Sequence, residues 1–352
     1  MKPRTKRILN ISLILATFAV VLYITLRDPD IGNAVKAVRS MTPGWIAASV
    51  GCFAMYLLMD ALSVLFFLRR QGFRVPLRYM LFVSVSGQYY SNITPGASGG
   101  QPMQIYYLHR RGVPGGIATS ALVMRFFCFQ FMLEAFATVL WIAYGPFVAE
   151  QVGGNMWILI VGYVYNTVIV GGVIVLCLCR PLVRFLVRLV IRIGVKLHLV
   201  KDAEGTLASA GRTVDAFHDS LALLFSHPLE LCVQLLLGGL QLLSLMTVIV
   251  CVYHGIGLRG ATPGELITMS VMEFISAAYT PLPGASGAQE GVFSLYFGQL
   301  FPGGAKLAGL LLWRFFTYYI SLLIGAIVVL TAGLREGKTL KEIRRITDEH
   351  AG

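Results

Sequence analysis

Residues 94–101 of this chain read TPGASGGQ, and residues 280–289 read TPLPGASGAQ. Both stretches contain Gly-Ala-Ser-Gly-x-Gln, separated by 188 residues. Two further landmarks return in the same order: PGG at 114–116 and 302–304, and an arginine before Phe-Phe at Arg125 and Arg314. Three landmarks at spacings of 188, 188 and 189 residues predict an internal duplication.

The composition is that of an integral membrane protein. The 352 residues are 56% hydrophobic and only 13% charged, and the mean hydropathy is +0.73. Such a chain cannot be a soluble domain, because its apolar surface exceeds what a soluble fold can bury.

Six apolar runs are long enough to cross a bilayer: residues 8–26, 45–68, 115–144, 156–179, 229–253 and 306–331. With these spans, 22 of the 29 lysines and arginines fall on one side, 5 on the other and 2 inside the membrane. The excess of positive charge identifies the cytoplasmic side. We therefore expect both termini in the cytoplasm, and residues 145–155 in an outer loop.

The repeated motif interrupts two segments that are too short to span. Residues 79–93 and 101–109 flank the first break, and residues 263–279 and 289–301 flank the second. Each pair predicts a re-entrant helical hairpin, whose irregular turn must be enclosed by protein or line a polar cavity. The order of spans gives the two copies, about 45–144 and 228–331, opposite orientations. The fold class predicted is thus an all-α polytopic membrane protein, a single domain over 1–352 built as an inverted repeat, which is typical of transporters.

The linker at 180–227 predicts basic amphipathic helices on the inner leaflet. Arginines recur every fourth residue and are interleaved with aliphatic side chains. We expect Arg184, Arg188 and Arg192 to bind anionic phospholipid. A DNA-binding helix is the competing interpretation, but the neighbouring spans disfavour it, so no nucleic-acid partner is expected.

The turns themselves suit an anion. Ser98-x-x-Gln101 and Ser286-x-x-Gln289 match the capping box that starts a helix. A glycine-rich turn before a helix N-terminus presents backbone N–H groups to a phosphate or carboxylate. We expect the two turns to approach each other at the midplane, the alternative being that the glycines only permit tight helix packing. The predicted binding residues in the turns are Gly96, Ser98, Gly99, Gln101, Gly284, Ser286, Gly287 and Gln289.

Two arginines hold equivalent places after the turns. An arginine at the centre of a membrane helix costs about 2.5–3.5 kcal/mol, so Arg125 and Arg314 should each face a partner. The protein candidates are Glu134, Glu273 and Glu290, and the ligand candidate is a phosphate, which a guanidinium binds bidentately. A purely structural Arg–Glu pair stays open for either arginine. Asp60, inside a span, is predicted either to bond to a neighbouring helix or to have a functional role.

Glu290 breaks the symmetry of the repeat, because Pro102 holds its place in the first copy. A carboxylate in a dry site can take up a proton near neutral pH, so we predict that Glu290 couples or gates transport, with Glu273 as a weaker candidate. No HExxH or GxSxG motif occurs, and no catalytic residue, metal or cofactor is predicted.

The two breaks, the first followed by QPMQIYYL and the second by QEG, carry a family resemblance. The chain resembles the lysylphosphatidylglycerol synthase transmembrane family, also called flippase-like or YbhN-type, over nearly its whole length. In larger members, the multiple peptide resistance factors, this region moves aminoacylated phosphatidylglycerol between leaflets and a separate domain synthesises that lipid. The resemblance implies a bacterial or archaeal cell membrane and lipid partners.

The sequence thus predicts a transporter that moves a phosphate-bearing lipid between leaflets, such as a phospholipid, aminoacyl-phosphatidylglycerol or a polyprenyl-phosphate-linked lipid. Two alternatives remain: a component of aminoacyl-phosphatidylglycerol synthesis, and a carrier of a small anion. The enzymatic alternative is disfavoured by the lack of a soluble transferase domain in this sequence. A homo-oligomer is left open.

Overall fold

The computed structural model of the protein describes residues 31–196, 210–219, 222, 226–277 and 280–332. These residues are predominantly helical and include no β-strand, as expected for an all-α fold. The predicted first span at 8–26 and the basic C-terminal tail lie outside the described residues.

The helices are named here in chain order. They are α1 (Ile31–Ser40), α2 (Pro43–Arg70), α3 (Leu77–Ile93), α4 (Gly100–His109), α5 (Gly115–Val152), α6 (Met156–Leu178), α7 (Arg180–Lys196), α8 (210–219), α9 (Pro228–Met246), α10 (Val248–Gly255), α11 (Pro263–Ala277), α12 (Ala288–Tyr296) and α13 (Ala305–Ala332).

Four helical segments within the described residues are long and apolar enough to cross a membrane. They are Pro43–Arg70, Gly115–Leu178, Pro228–Gly255 and Ala305–Ala332. The second is 64 residues long and consists of α5 and α6, which meet at the 3₁₀ turn Gly153–Asn155. These helices are those of a polytopic membrane protein; six spans and an inverted orientation of the copies stay predictions.

Both copies contain a hairpin of two short helices. In the first, α3 with 17 residues packs against α4 with 10, and in the second, α11 with 15 residues packs against α12 with 9. At 1.5 Å per residue the longest arm measures about 26 Å, less than the roughly 30 Å hydrocarbon core. The predicted arms are therefore present as helices, and their re-entrant placement stays a prediction.

The prediction of an outer loop at 145–155 is wrong for most of its length. Helix α5 continues to Val152, with a kink at Tyr144 (φ −119°, ψ 20°) just before Pro146. Proline lacks an N–H and breaks the hydrogen-bond ladder, but it fits the first turn of a helix that restarts after a kink. The sequence GP therefore marks a bend here rather than a loop.

The buried apolar residues described form two clusters that follow the two copies. One contains side chains of α2, α3, α4 and α5, including Leu65, Met80 and Leu122. The other contains side chains of α10 to α13, including Met269 and Phe293, and is joined by the second half of α5. Each hairpin thus has an apolar core of its own beside it, which positions its turn.

The amphipathic linker is tied to the bundle. Arg184 of α7 donates to Asp215 of α8 at 2.5 Å, and Arg180 pairs with Asp219. Helix α8 in turn docks on the start of α5, where the Ser120 hydroxyl donates to the Phe217 carbonyl at 3.1 Å. Of the three arginines predicted to bind anionic lipid, Arg184 is therefore already engaged by a carboxylate.

Candidate functional site: the contact between the two turns

The turns of the two hairpins touch each other. We call residues 94–99 the first tip and residues 280–287 the second tip. The N–H of Gly96 in the first tip donates to the carbonyl of Pro281 in the second, with an N···O distance of 2.9 Å. The prediction that the tips approach each other is confirmed; their depth in the membrane stays a prediction.

The two tips begin with the same unusual backbone. Gly96 and Gly284 have φ of 58° and 59°, and the alanines that follow, Ala97 and Ala285, have φ of 54° and 49°. An L-residue in this left-handed region costs about 1–2 kcal/mol. A strained pair that recurs in both copies indicates that this turn conformation is kept by its surroundings.

The predicted capping boxes are wrong. The hydroxyl of Ser98 donates to the carbonyl of Pro95 and that of Ser286 to Pro283, each at 2.9 Å. Both serines lie directly after a 3₁₀ turn, so a carbonyl three residues back is within reach of the hydroxyl. Helices α4 and α12 consequently begin after Gly99 and Gly287 rather than at the serines.

Different side chains satisfy the same amide in the two tips. The N–H of Gly99 donates to Thr94 Oγ1 at 2.8 Å. The equivalent N–H of Gly287 donates to Glu290 Oε2 at 2.6 Å. The acceptor of this amide, which closes the turn, is therefore a neutral hydroxyl in the first tip and a carboxylate in the second.

Arg314 holds the second tip together from the side of α13. Only 3% of the residue is exposed. Its Nε donates to Glu290 Oε1 at 2.7 Å, and its Nη2 donates to the Gly284 carbonyl at 3.2 Å. Its Nη1 donates to Gln289 Oε1, and its Cζ lies 4.7 Å from the centre of the Tyr318 ring. Of the three predicted acidic partners, Glu290 is thus the one that Arg314 contacts.

Arg125 has a different partner and does not reach the first tip. It forms an ion pair with Asp60 of α2, whose Oδ1 also accepts from Gln241 Nε2 at 3.1 Å. None of its three predicted acidic partners is the actual one. Glu134 instead accepts from the neutral side chains of Asn166 (2.6 Å) and Thr167 (2.5 Å) on α6.

A cavity of about 510 Å³ lies between the tips and is lined by both copies. Five of the predicted site residues line it: Gly96, Gly284, Gln289, Arg314 and Glu273. The other predicted residues do not line it: Ser98, Gly99, Gln101, Arg125, Ser286, Gly287 and Glu290. Glu290 reaches the site through Arg314, and Ser286 lies 3.5 Å from Arg314 Nη2.

Sequence reasoning missed several polar side chains of the cavity. Gln88, Asn92 and Tyr318 all line it. The Tyr318 hydroxyl donates to the Asn92 carbonyl at 3.3 Å, and the Asn92 amide donates to Ser321 Oγ at 2.6 Å. Because the residues of each pair lie more than 220 positions apart, no local pattern could have revealed them.

Glu273 of α11 is the most unusual group in the cavity wall. It is 1% exposed, and neither of its carboxylate oxygens has a hydrogen-bond partner among the described residues. A buried polar group without a partner carries a free-energy penalty of about 1–3 kcal/mol, so it points to a ligand, a proton or a water.

A π turn follows Arg314 directly. Residues Phe315–Tyr319 form a π-helical turn inside α13. Single π turns are frequent at functional sites, because the extra residue per turn changes which side chains face the site. Here Arg314 faces the second tip, while Tyr318 reaches across to α3.

Comparison with known families gives the chain its place. The family model described as the lysylphosphatidylglycerol synthase TM region matches residues 9–325. No curated protein matches the chain. Together with the membrane-spanning helices, the family match over most of the chain shows a multi-pass membrane protein that belongs to the lysylphosphatidylglycerol synthase transmembrane-region family.

Proposed function

We propose that this protein translocates a phosphate-bearing lipid between leaflets and that the phosphate binds at Arg314 between the two tips. The observation that carries the proposal is the ion pair of Arg314 with Glu290, which lies beside a cavity built by both copies. The inverted repeat predicted from sequence and the family membership are in keeping with transport.

Glu290 occupies the place that an anionic substrate would take on Arg314. A carboxylate and a phosphate both accept two N–H donors from a guanidinium, so they compete for the same atoms. While Glu290 is ionised and bound, Arg314 is neutralised. When Glu290 is protonated or displaced, the guanidinium is free to bind the phosphate, and the second tip loses the acceptor of its Gly287 N–H.

This competition would link lipid movement to a proton. The ionisable groups that face Glu290 are Arg314, with an Nε···Oε1 distance of 2.7 Å, the carboxyl group of Glu273, and the phenols of Tyr318 and Tyr319. A proton on Glu290 removes the negative charge that neutralises Arg314, and Arg314 lies in the cavity wall. An anionic head group is therefore admitted more readily at lower pH.

Arg125 enters the proposal in a secondary role. Its Nε and the Asp60 Oδ2 are buried and have no hydrogen-bond partner within the described residues. Because Arg125 does not line the cavity, its contribution to phosphate binding should be smaller than that of Arg314.

The test is a leaflet-exchange assay in proteoliposomes with fluorescently labelled phosphatidylglycerol. Arg314→Lys should lower the exchange rate at least about tenfold, because lysine is a point charge that cannot offer the planar fork of donors. Arg125→Lys is the matched control and should keep most of the rate. Wild-type exchange should accelerate as the pH falls, and Glu290→Gln should exchange lipid at a rate that no longer depends on pH.

An unchanged rate for Arg314→Lys would reject the phosphate role. The small-anion alternative is tested in the same vesicles. Release of trapped inorganic phosphate without lipid exchange would mean that the protein transports a small anion and not a lipid. Each variant must first show the elution profile and melting temperature of a folded protein.

A further inference from the structure

A second basic site lies at the far end of the first hairpin from the tips. A cleft of about 690 Å³ opens between the start of α3, the end of α4 and the end of α13. We call it the arginine cleft. Its walls include Arg78, Arg110 and Arg111 on the hairpin, Phe82 on α3, and Val328 and Ala332 on α13.

The aromatic side of the arginine cleft is ordered by its own contacts. The guanidinium of Arg111 stacks on the Tyr79 ring, with 4.3 Å between Cζ and the ring centre. The Tyr79 hydroxyl donates to the Tyr107 carbonyl at 2.8 Å, and the rings of Phe82 and Tyr107 pack edge to face at 4.9 Å. Arg111 is therefore held over the cleft by packing and not by an ion pair with a described carboxylate.

The charges of Arg78 and Arg111 have no carboxylate partner among the described residues. No aspartate or glutamate is among the described residues that line the cleft. Arg78 is the second residue of α3, where the positive end of the helix dipole disfavours a basic side chain. An anion bound beside Arg78 would offset that repulsion.

The opposite wall is apolar. Val328 and Ala332 belong to the last turns of Ala305–Ala332, which is one of the candidate membrane spans. A ligand in the cleft would thus meet guanidinium groups on one side and the end of a membrane-spanning helix on the other. That combination fits an amphiphile better than a free ion, because basic pockets between membrane helices recognise anionic lipid head groups.

We propose that the arginine cleft binds the phosphodiester of an anionic lipid, with Arg78 and Arg111 on the phosphate and the acyl chains along Val328 and Ala332. This site is separate from Arg314 and its occupancy does not require translocation. The proposal therefore stands or fails independently of the proposed function.

The experiment measures retained lipid on the full-length protein by native mass spectrometry. Protein is purified in detergent supplemented with either phosphatidylglycerol or phosphatidylcholine. The variant is Arg78→Gln/Arg111→Gln, and the matched control is Arg69→Gln/Arg74→Gln. The control removes Arg69 at the end of α2 and Arg74 in the α2–α3 connection. These two arginines line a neighbouring surface cleft that has no aromatic residue among its described lining residues.

Wild type should retain phosphatidylglycerol in preference to phosphatidylcholine. The cleft variant should lower phosphatidylglycerol retention about tenfold, and the control variant less than twofold, since each basic residue near an anionic surface adds a several-fold gain in binding. Equal losses in both variants would mean only that surface charge matters, and would overturn the site. Arg78→Gln alone leaves the stacked Arg111 in place and should show a several-fold loss even if the double variant is poorly folded.

A competition arm separates the two sources of phosphate. Soluble glycerophosphoglycerol should displace the lipid only at concentrations well above that of the lipid itself. If the soluble compound competes at an equal concentration, the apolar wall contributes nothing, and the assignment to a lipid is overturned in favour of a free phosphate site.

Discussion

The two tips have the same turn but are held in different ways. Both begin with a glycine and an alanine of positive φ, yet the first is closed by the hydroxyl of Thr94 and the second by the carboxylate of Glu290. The position of Thr94 is taken by Leu282 in the second copy, and that of Glu290 by Pro102 in the first. The two copies share the backbone of the turn, but only the second holds it with a charged side chain.

The charged tip therefore depends on its arginine, and the neutral tip does not. Ser286 in the second tip is buried, whereas Ser98 in the first is exposed. The partly buried carboxylate of Glu290 is stabilised by a charged partner, which Arg314 supplies. The equivalent arginine of the first copy, Arg125, pairs with Asp60 instead. Three pairs of substitutions test this difference.

The largest effect is expected for Arg314→Met. Removing one member of a buried pair leaves the other charge unpaired, so the free energy of unfolding should fall by about 3–5 kcal/mol. Arg125→Met should cost less, although it leaves Asp60 buried, because Gln241 still donates to Asp60. Arg314→Met in addition removes the donors to Gln289 and to the Gly284 carbonyl. Thermal unfolding in detergent, followed by intrinsic fluorescence, compares the two.

The double variant Arg314→Met/Glu290→Met sharpens the result. It should recover much of the lost stability, because neither charge is then buried alone. Equal destabilisation by the two arginine variants would mean that the tips are not held differently.

An effect of intermediate size on stability is expected for Gly284→Ala, compared with Gly96→Ala. Both residues have φ near +60°, so either alanine is strained by about 1–2 kcal/mol. A methyl group on Gly284 would also lie 2.1 Å from Tyr318 Cε2, whereas nothing lies within 4 Å of one on Gly96. Gly284→Ala should therefore lower the melting temperature more than Gly96→Ala does.

The added effect should vanish in a Tyr318→Ala background, where the clashing ring is absent. The two glycine variants should then have similar melting temperatures, because only the backbone strain that they share remains. A difference that persists without the ring would assign the effect to the backbone of the second tip instead.

The smallest effect is expected for Thr94→Val. It removes the acceptor of the Gly99 N–H and should destabilise the protein by about 1 kcal/mol, as the loss of a helix cap does. The converse substitution Leu282→Thr should add nothing, because the Gly287 N–H is already bonded to Glu290. A stabilisation by Leu282→Thr, measured in the same melting assay, would show that Glu290 does not close its tip.

Much of the architecture could be predicted because it depends on patterns that repeat in the sequence. The duplicated glycine-rich stretch predicted both turns, their flanking helices and their mutual contact. The pair of Arg314 with Glu290 was among the predicted alternatives, since Glu290 stands next to the motif. What failed were predictions that assume local rules: serines before a helix were expected to cap it, and Gly145-Pro146 was expected to end one.

The partner of Arg125 shows why the rest could not be predicted. The predicted candidates were Glu134, Glu273 and Glu290, and in the first copy Pro102 stands in the place of Glu290. Asp60, 65 residues away on α2, reaches Arg125 only because α2 and α5 pack together. Such a contact depends on the three-dimensional arrangement of helices and has no counterpart in spacing along the chain.

The π turn in α13 has a mechanical consequence. Arg314, directly before it, is bonded to the second tip. Tyr318 within the turn and Ser321 after it are bonded to Asn92, two residues before the first tip. Helix α13 thus contacts both hairpins and links them directly. If both sets of contacts are kept, a motion that separates Gly96 from Pro281 must change the helix between Arg314 and Ser321, the stretch that contains the π turn.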